Sequence, residues 1–288
     1  MKPLIEVLTQ ARRDRVAVGH FSFSDLVALK AVVASARKLN LPVMVGTSEG
    51  ERDFVGVRQA AALVRSIRDE TGLEIFLNAD HTHSLAKAEA AAKAGFDEII
   101  FDGSTLSFEE NVAQTKRAVE AIKSINPTIV VEGEVGYIGT SSAILDKIPE
   151  GMGALTTPDE ARQFVEGTGI DVLAPAVGNM HGLLQSMVSG AVQKHLDIER
   201  IAEIAQATGA LLTLHGGSGT NDDDFKRSIR AGITIVHVNT EIRLAWRRGV
   251  EAALSKDRGE VVPYKILTGA VEAVSEVVEK RLQLFNAR

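Results

Sequence analysis

The 288-residue chain contains no cysteine, which removes disulfides, thiolate metal sites and cysteine nucleophiles from consideration. It also lacks an excess of positive charge. Its 32 Lys and Arg face 38 Asp and Glu, giving a formal charge of −6, and that balance argues against a nucleic-acid partner. No apolar run approaches the ~18 residues that suggest a membrane span. The opening Met1-Lys2-Pro3-Leu4-Ile5-Glu6 has none of the apolar core of a signal peptide. A cytoplasmic protein with neither a nucleic-acid nor a membrane partner is therefore expected. Linkers, low-complexity tracts and fixed-period repeats are missing too, so one domain over 1–288 is the simplest organisation.

What the chain does contain is ordinary for a globular protein, 45% apolar and 24% charged residues, arranged in a regular alternation. Short β-rich runs are read at Val16–Phe21, Pro42–Gly46, Glu74–Asn78, Glu98–Phe101, Thr128–Glu132, Val172–Ala174, Leu211–Leu214 and Ile233–Val238. Apolar residues stand on both alternating sets of positions, as in parallel strands covered on both faces. Helical patterns lie between them, for instance Ser84 to Gly95, alanine-rich and closed by a glycine. Eight such units without a break in composition predict an α/β fold, a (β/α)8 TIM barrel. The tail from Lys265 predicts a C-terminal helical extension ending at Phe285. Residues 136–157, long and glycine-rich for a βα connection, predict a mobile lid. Gly182 to Leu196 is a second long, mildly apolar segment, broken at Ser189-Gly190.

In such a barrel the carboxyl ends of the strands converge on one face, and active sites lie there. Asp80-His81, Glu132 and Glu134, His181, His215, and His237-Val238-Asn239-Thr240 all fall at strand ends. His81, His181 and His215, from three different strands, suit a catalytic Zn2+ with one coordination position left open. His20, His83 and His195 lack that support, although His83, two residues beyond His81, is the nearest rival ligand. His215-Gly216-Gly217-Ser218-Gly219 turns from a strand into a helix, where exposed N–H groups suit a phosphate. Asn239-Thr240 opens the neighbouring helix in an N-cap arrangement. The seventh and eighth loops together form the usual phosphate site of barrel enzymes.

These motifs resemble the class II, metal-dependent ketose-bisphosphate aldolases, the fructose- and tagatose-bisphosphate aldolases. The resemblance runs through Ser48-Glu49-Gly50, Asp80-His81, Phe101-Asp102-Gly103-Ser104, Phe108-Glu109-Glu110-Asn111 and Val131 to Gly136. It continues in Ala176 to Gly182, Leu214 to Gly219, and Val238 to Glu241. It implies one Zn2+ or another divalent ion on His81, His181 and His215, with Glu134 as an alternative ligand or supporting partner, and it leaves room for a monovalent cation. Asp80 is then the acid–base residue acting on the C4 hydroxyl of a ketose 1-phosphate. Gly182, Gly216, Ser218, Asn239 and Thr240 are implied to hold the C1 phosphate, with Ser22 and His237 facing the rest of the substrate. Dihydroxyacetone phosphate and an aldehyde are the implied products, and a homodimer or homotetramer the implied assembly.

The chain departs from the family pattern around the substrate. His237 and Ser22 stand where asparagine is usual, Thr82 where glycine follows Asp-His, and Gln185 where a lysine is usual. Gly139-Thr140-Ser141-Ser142-Ala143 lacks the family's lid acid, for which Asp146 or Glu150 are the nearest substitutes. Tyr264 aligns with an arginine for the distal phosphate, and a phenol cannot replace that bidentate charged contact. These changes predict a substrate other than fructose 1,6-bisphosphate. Two further readings stay open at this point: a metal-dependent hydrolase on the same barrel, and a non-catalytic sugar-phosphate-binding protein.

Overall fold

A computed structural model describes residues 1–139, 141–148 and 153–287. Eight parallel strands close into a barrel: β1 Val18–Ser22, β2 Val43–Thr47, β3 Ile75–Thr82, β4 Glu98–Phe101, β5 Val130–Val135, β6 Val172–Pro175, β7 Leu211–Leu214 and β8 Ile233–Val238. Each pairs with its sequence neighbours, and β1 closes on β8. The eight runs read from the sequence are these strands, with ends displaced by up to four residues. Helices cover the outside, and Pro263–Phe285 packs against Thr240–Lys256 and Leu26–Leu39 as the C-terminal extension.

The two alternating sets of strand positions differ more than the sequence suggested. Phe21, Val43, Val45, Leu77, Ile99, Val131, Leu173, Leu214 and Val236 face the helices in the larger apolar cluster. The other set faces the barrel axis. It is uniformly apolar in its lowest layer, where Val18, Met44, Phe76, Val130, Val172, Leu211 and Ile235 meet. Leu4, Val7, Leu8 and Ala11 of the N-terminal helix Leu4–Asp14 close that layer from below.

Two residues further along, most of the same inward positions turn polar, Gly46, Ile100 and Ala174 being the exceptions. His20 lies beside His237, Asn78 beside Glu98, and Ile100 beside Glu132 in the ladder. The next step upward gives Ser22, Asp80, Asp102, Glu134 and His215 at the rim. Because side chains alternate along a strand, this one parity carries the strand-borne polar groups of the site apart from His81.

Candidate metal centre and substrate cavity

The end of β3 is where the backbone departs most from a regular strand. The β3–β4 register shifts between Ala79 and Thr82, and His81 takes a left-handed φ of 42°, unusual outside glycine. The bulge lets Asp80 and His81 both serve the same rim. Arg52 braces it from the β2 side: its buried guanidinium donates to Asp80 O at 3.0 Å, to Thr82 Oγ1 at 2.9 Å, and to Thr47 O. Thr82, odd as a sequence departure, is thus the hydroxyl that receives Arg52.

His81, Glu134, His181 and His215 each bring a ligand atom to within 4.8 Å of the others. His81 Nε2 and His215 Nδ1 approach to 3.1 Å. Their other ring nitrogens point away to carboxylates, His81 Nδ1 to Asp102 Oδ2 at 2.8 Å and His215 Nε2 to Glu132 Oε1 at 2.6 Å. Carboxylates placed this way fix the ring orientation and leave the inner nitrogen as a lone pair, the arrangement of metal-binding histidines. Asp102 is itself held by Ser104, whose N–H and Oγ donate at 3.0 and 2.6 Å. His181 Nε2 and Glu134 Oε2 are buried with no hydrogen-bond partner among the described residues. Two orphaned polar atoms and two oriented imidazoles fit a divalent cation with nitrogen and oxygen preference.

The charges of two of the four donors agree with that fit, whereas His81 and Glu134, the latter raised well above the usual carboxylate range by burial, would have to give up a proton to a cation. Burial drives His181 well below the ordinary histidine range and His215 down to about 3, with the neighbouring His81 adding to both, so both rings stand neutral. Burial also opposes a charge on His81, but Asp80 and the Asp102 hydrogen bond outweigh it and raise His81 to about 10. Burial opposes the Asp80 carboxylate as well, yet His81 and His237 hold it well below the usual carboxylate range. Asp80 is thereby an ionised base in a buried place.

His237 does not join the four. Its ring stacks between His215, at 4.0 Å, and His20, at 3.7 Å, and its Nδ1 lies 3.6 Å from Asp80 Oδ1. Gly46 makes room for this column, since a Cβ there would meet His20 Nε2 at 2.0 Å. His83, on the other hand, is half exposed. Its Nδ1 faces the Asp102 carbonyl at 3.2 Å, outside the metal-binding group.

A recess beside the cluster is lined by Ser22, Asp80, Ser142, His181, Gly182, Gly216, Ser218, His237, Asn239 and Thr240. It gathers Asp80, His181 of the metal group, His237 and every residue expected at the phosphate. The N-terminus of the helix Thr240–Lys256 opens here, favourable to an anion. Asn239 occupies the cap position but makes no cap bond, and its Oδ1 is buried without a partner among the described residues. The expected N-cap is therefore a side chain left free to face the recess. A larger cavity of about 360 Å³ adjoins it, reaching past His81 and Asp102 to Ser48, His83 and Arg243.

The family profile "Fructose-bisphosphate aldolase class-II" matches residues 2–288. The chain belongs to this family. It is accordingly an aldolase, a carbon–carbon lyase. Similar curated proteins named fructose-bisphosphate aldolase include that of Thermus caldophilus, 32% identical over 305 residues and covering 98% of this chain and 97% of the relative. That of Staphylococcus aureus (strain Mu50) is 32% identical over 284 residues, covering 98% and 96%. The YdjI aldolase from Escherichia coli K12 superposes with a TM-score of 0.82 at 26% identity, covering 98% of this chain and 96% of its own.

Several residues stand elsewhere than a class II aldolase pattern led us to expect. Tyr264 is 72% exposed and lines neither cavity of the single chain. Gln185 is exposed at the start of the short helix Gln185–Val188 and also lies outside both cavities. Asp146 is exposed and away from them, and Glu150 lies outside the described residues. The 136–157 segment gives Gly139, Ser141 and Ser142 to the cavities instead. Reading the sequence missed the supports: Asp102 and Glu132 behind the histidines, Arg52 under Asp80, His20 behind His237, and Asn179, whose Nδ2 donates to His215 O at 3.0 Å. Asp102 and Glu132 had a signal, as acids at inward positions of β4 and β5; the others had none.

Proposed function

We propose that this class II aldolase, with one divalent ion held by His81, His181 and His215 and supported by Glu134, cleaves and forms the C3–C4 bond of a ketose 1-phosphate. The reading rests on one observation above all. Four mutually close donor groups sit at the edge of a recess that also contains Asp80 and the whole expected phosphate set. Zn2+ suits the three imidazoles and one carboxylate, and the same donors accept other divalent first-row ions.

A bound ion would supply Lewis-acid polarisation of the substrate ketone. The chain's own groups account for the rest. Gly182, Gly216, Ser218, Asn239 and Thr240 seat the C1 phosphate, and the 136–157 segment closes over it as a lid. Asp80, ionised, takes the proton of the C4 hydroxyl; the C3–C4 bond breaks, an aldehyde leaves, and the electron pair passes from C3 into the C2 carbonyl. Protonation at C3 yields dihydroxyacetone phosphate, and condensation runs the same steps backwards. Positioned proton transfer of this kind contributes ~10²–10⁴-fold.

His237 and Ser22 line the recess where the family pattern has asparagine, and we extend the proposal to a preferred substrate other than fructose 1,6-bisphosphate. The test is a steady-state comparison of fructose 1,6-bisphosphate with ketose 1-monophosphates, on wild type and on His237→Asn. Wild type should turn over one of the monophosphates with the higher kcat/KM, and His237→Asn should narrow the gap. Highest efficiency on fructose 1,6-bisphosphate would overturn the substrate choice, and no cleavage of any ketose phosphate would overturn the activity.

A further inference from the structure

Lys194 is the only lysine among the buried residues described, 4% exposed, and it pairs with no carboxylate among the described residues. Its Nζ sits instead among three backbone carbonyls: Met180 O at 2.6 Å, Gly182 O at 2.7 Å and Gly216 O at 3.0 Å. Burial lowers the Lys194 pKa to about 7, while three acceptors match the three N–H donors that an ammonium has and a neutral amine lacks. The lysine is anchored at both ends of its own peptide, since its N–H donates to Gly219 O at 2.9 Å and its carbonyl accepts from Asn221 N at 3.1 Å.

The three carbonyls are not incidental. They belong to the peptide unit that precedes His181, to the one that follows Gly182 and to the one that follows Gly216. Each unit donates on its other face. His181 N gives to Ile138 O at 2.9 Å and Leu183 N to Ala143 O at 3.0 Å, both in the 136–157 segment; Gly217 N gives to His237 O at 3.0 Å. A cation on a carbonyl polarises its peptide and strengthens the N–H on the far side. One ammonium thus grips two metal-centre strands, backs the glycines of the recess, and tightens the bonds by which the segment above is docked.

We propose that Lys194 is a positioning residue: a tethered monovalent cation that holds the peptides around His181, Gly182 and Gly216, supports the contacts to Ile138 and Ala143 and places positive charge behind the phosphate recess. No free monovalent ion is then required among these carbonyls. The phosphate part rests on the function proposed above; the positioning part does not.

The experiment uses metal-loaded protein, inorganic phosphate as probe, and buffers whose monovalent cation is tetramethylammonium, too large to sit among three carbonyls, or ammonium or potassium, which are not. Wild type should bind phosphate equally in all three. Lys194→Ala should bind about ten-fold more weakly or worse in tetramethylammonium, and recover in ammonium or potassium. Lys194→Gln, which fills the space and keeps a donor without the charge, should stay weak in every buffer. In parallel, amide hydrogen exchange at His181 and Leu183 should speed up in Lys194→Ala and slow again with ammonium. If no protein binds phosphate but exchange follows the cation as described, the phosphate reading fails and the positioning role stands. Variants with wild-type phosphate binding and exchange in tetramethylammonium, or a wild type that itself needs potassium or ammonium, would overturn the proposal. Should Lys194→Ala melt too early for binding work, a rise in its Tm with ammonium and not tetramethylammonium, absent in wild type, supports the role; no such difference contradicts it.

Discussion

Asp102 shows how much of the metal centre is decided by single atoms. Its Oδ2 fixes His81 at 2.8 Å and its Oδ1 is held by Ser104, so the carboxylate has no freedom to turn. Asp102→Asn should leave the fold intact and weaken divalent-metal affinity about 10–100-fold, read from Co2+ titration of the visible spectrum. His181→Ala should lose the ion under dialysis where His83→Ala keeps it, because only His181 lies in the four-residue group. Elemental analysis checks this, and retention by His181→Ala alongside loss by His83→Ala would mean the ligand set is wrong. The three histidines were legible because their positions relative to strand ends could be read off the chain. Their carboxylate partners were not, since Glu132 and Asp102 reach them from β5 and β4, far off in sequence. Lys194 was illegible for a different reason: backbone carbonyls carry no sequence signature, so a cation that binds only carbonyls leaves no motif.

At the scale of elements, the strand ends and the segment above them depend on backbone conformations that side chains would block. Gly182 has φ 78°, and a Cβ there would lie 2.6 Å from Ala143 O and 2.8 Å from Ser141 O. Gly182→Ala should therefore push the 136–157 segment off the recess while sparing the metal. A raised KM for a ketose 1-phosphate with unchanged metal content is the expected outcome; a lost metal with unchanged KM would place the strain elsewhere. The short parallel pairing of Ile144–Leu145 with Leu183–Leu184 adds to this contact. The sequence located the long segment by its length and glycines, but not what it touches. Strand identity was readable from β-rich runs, whereas the switch from apolar to polar along one parity of each strand was overlooked. That switch divides the barrel: an apolar lower layer sealed by Leu4–Asp14, and a polar upper half in which the chemistry is assembled.

For the whole molecule, the bound ion should behave as part of the folded state. Four donors from β3, β5, the loop after β6 and the end of β7 tie half the barrel together, so chelation should lower the Tm, and added Zn2+ should restore it. Free metal at ~100–1,000 times Kd corresponds to about 3–4 kcal/mol. No helix among the described residues is long and apolar enough to cross a membrane. Phe54 and Val261, 80% and 82% exposed, are large apolar side chains left open on the single chain, and a homodimer or homotetramer by light scattering is the expectation; a monomer at micromolar concentration would contradict it. The most direct test of the account is cleavage itself. Metal-loaded protein is given a panel of ketose 1-phosphates, dihydroxyacetone phosphate is measured by coupled reduction, and the aldehyde is trapped. The account predicts equal amounts of both products, loss on chelation with return on added Zn2+, and a fall of ~10²–10⁴-fold in Asp80→Ala, which keeps its metal. Release of inorganic phosphate without carbon–carbon cleavage, turnover that survives chelation, or full activity in Asp80→Ala would contradict it.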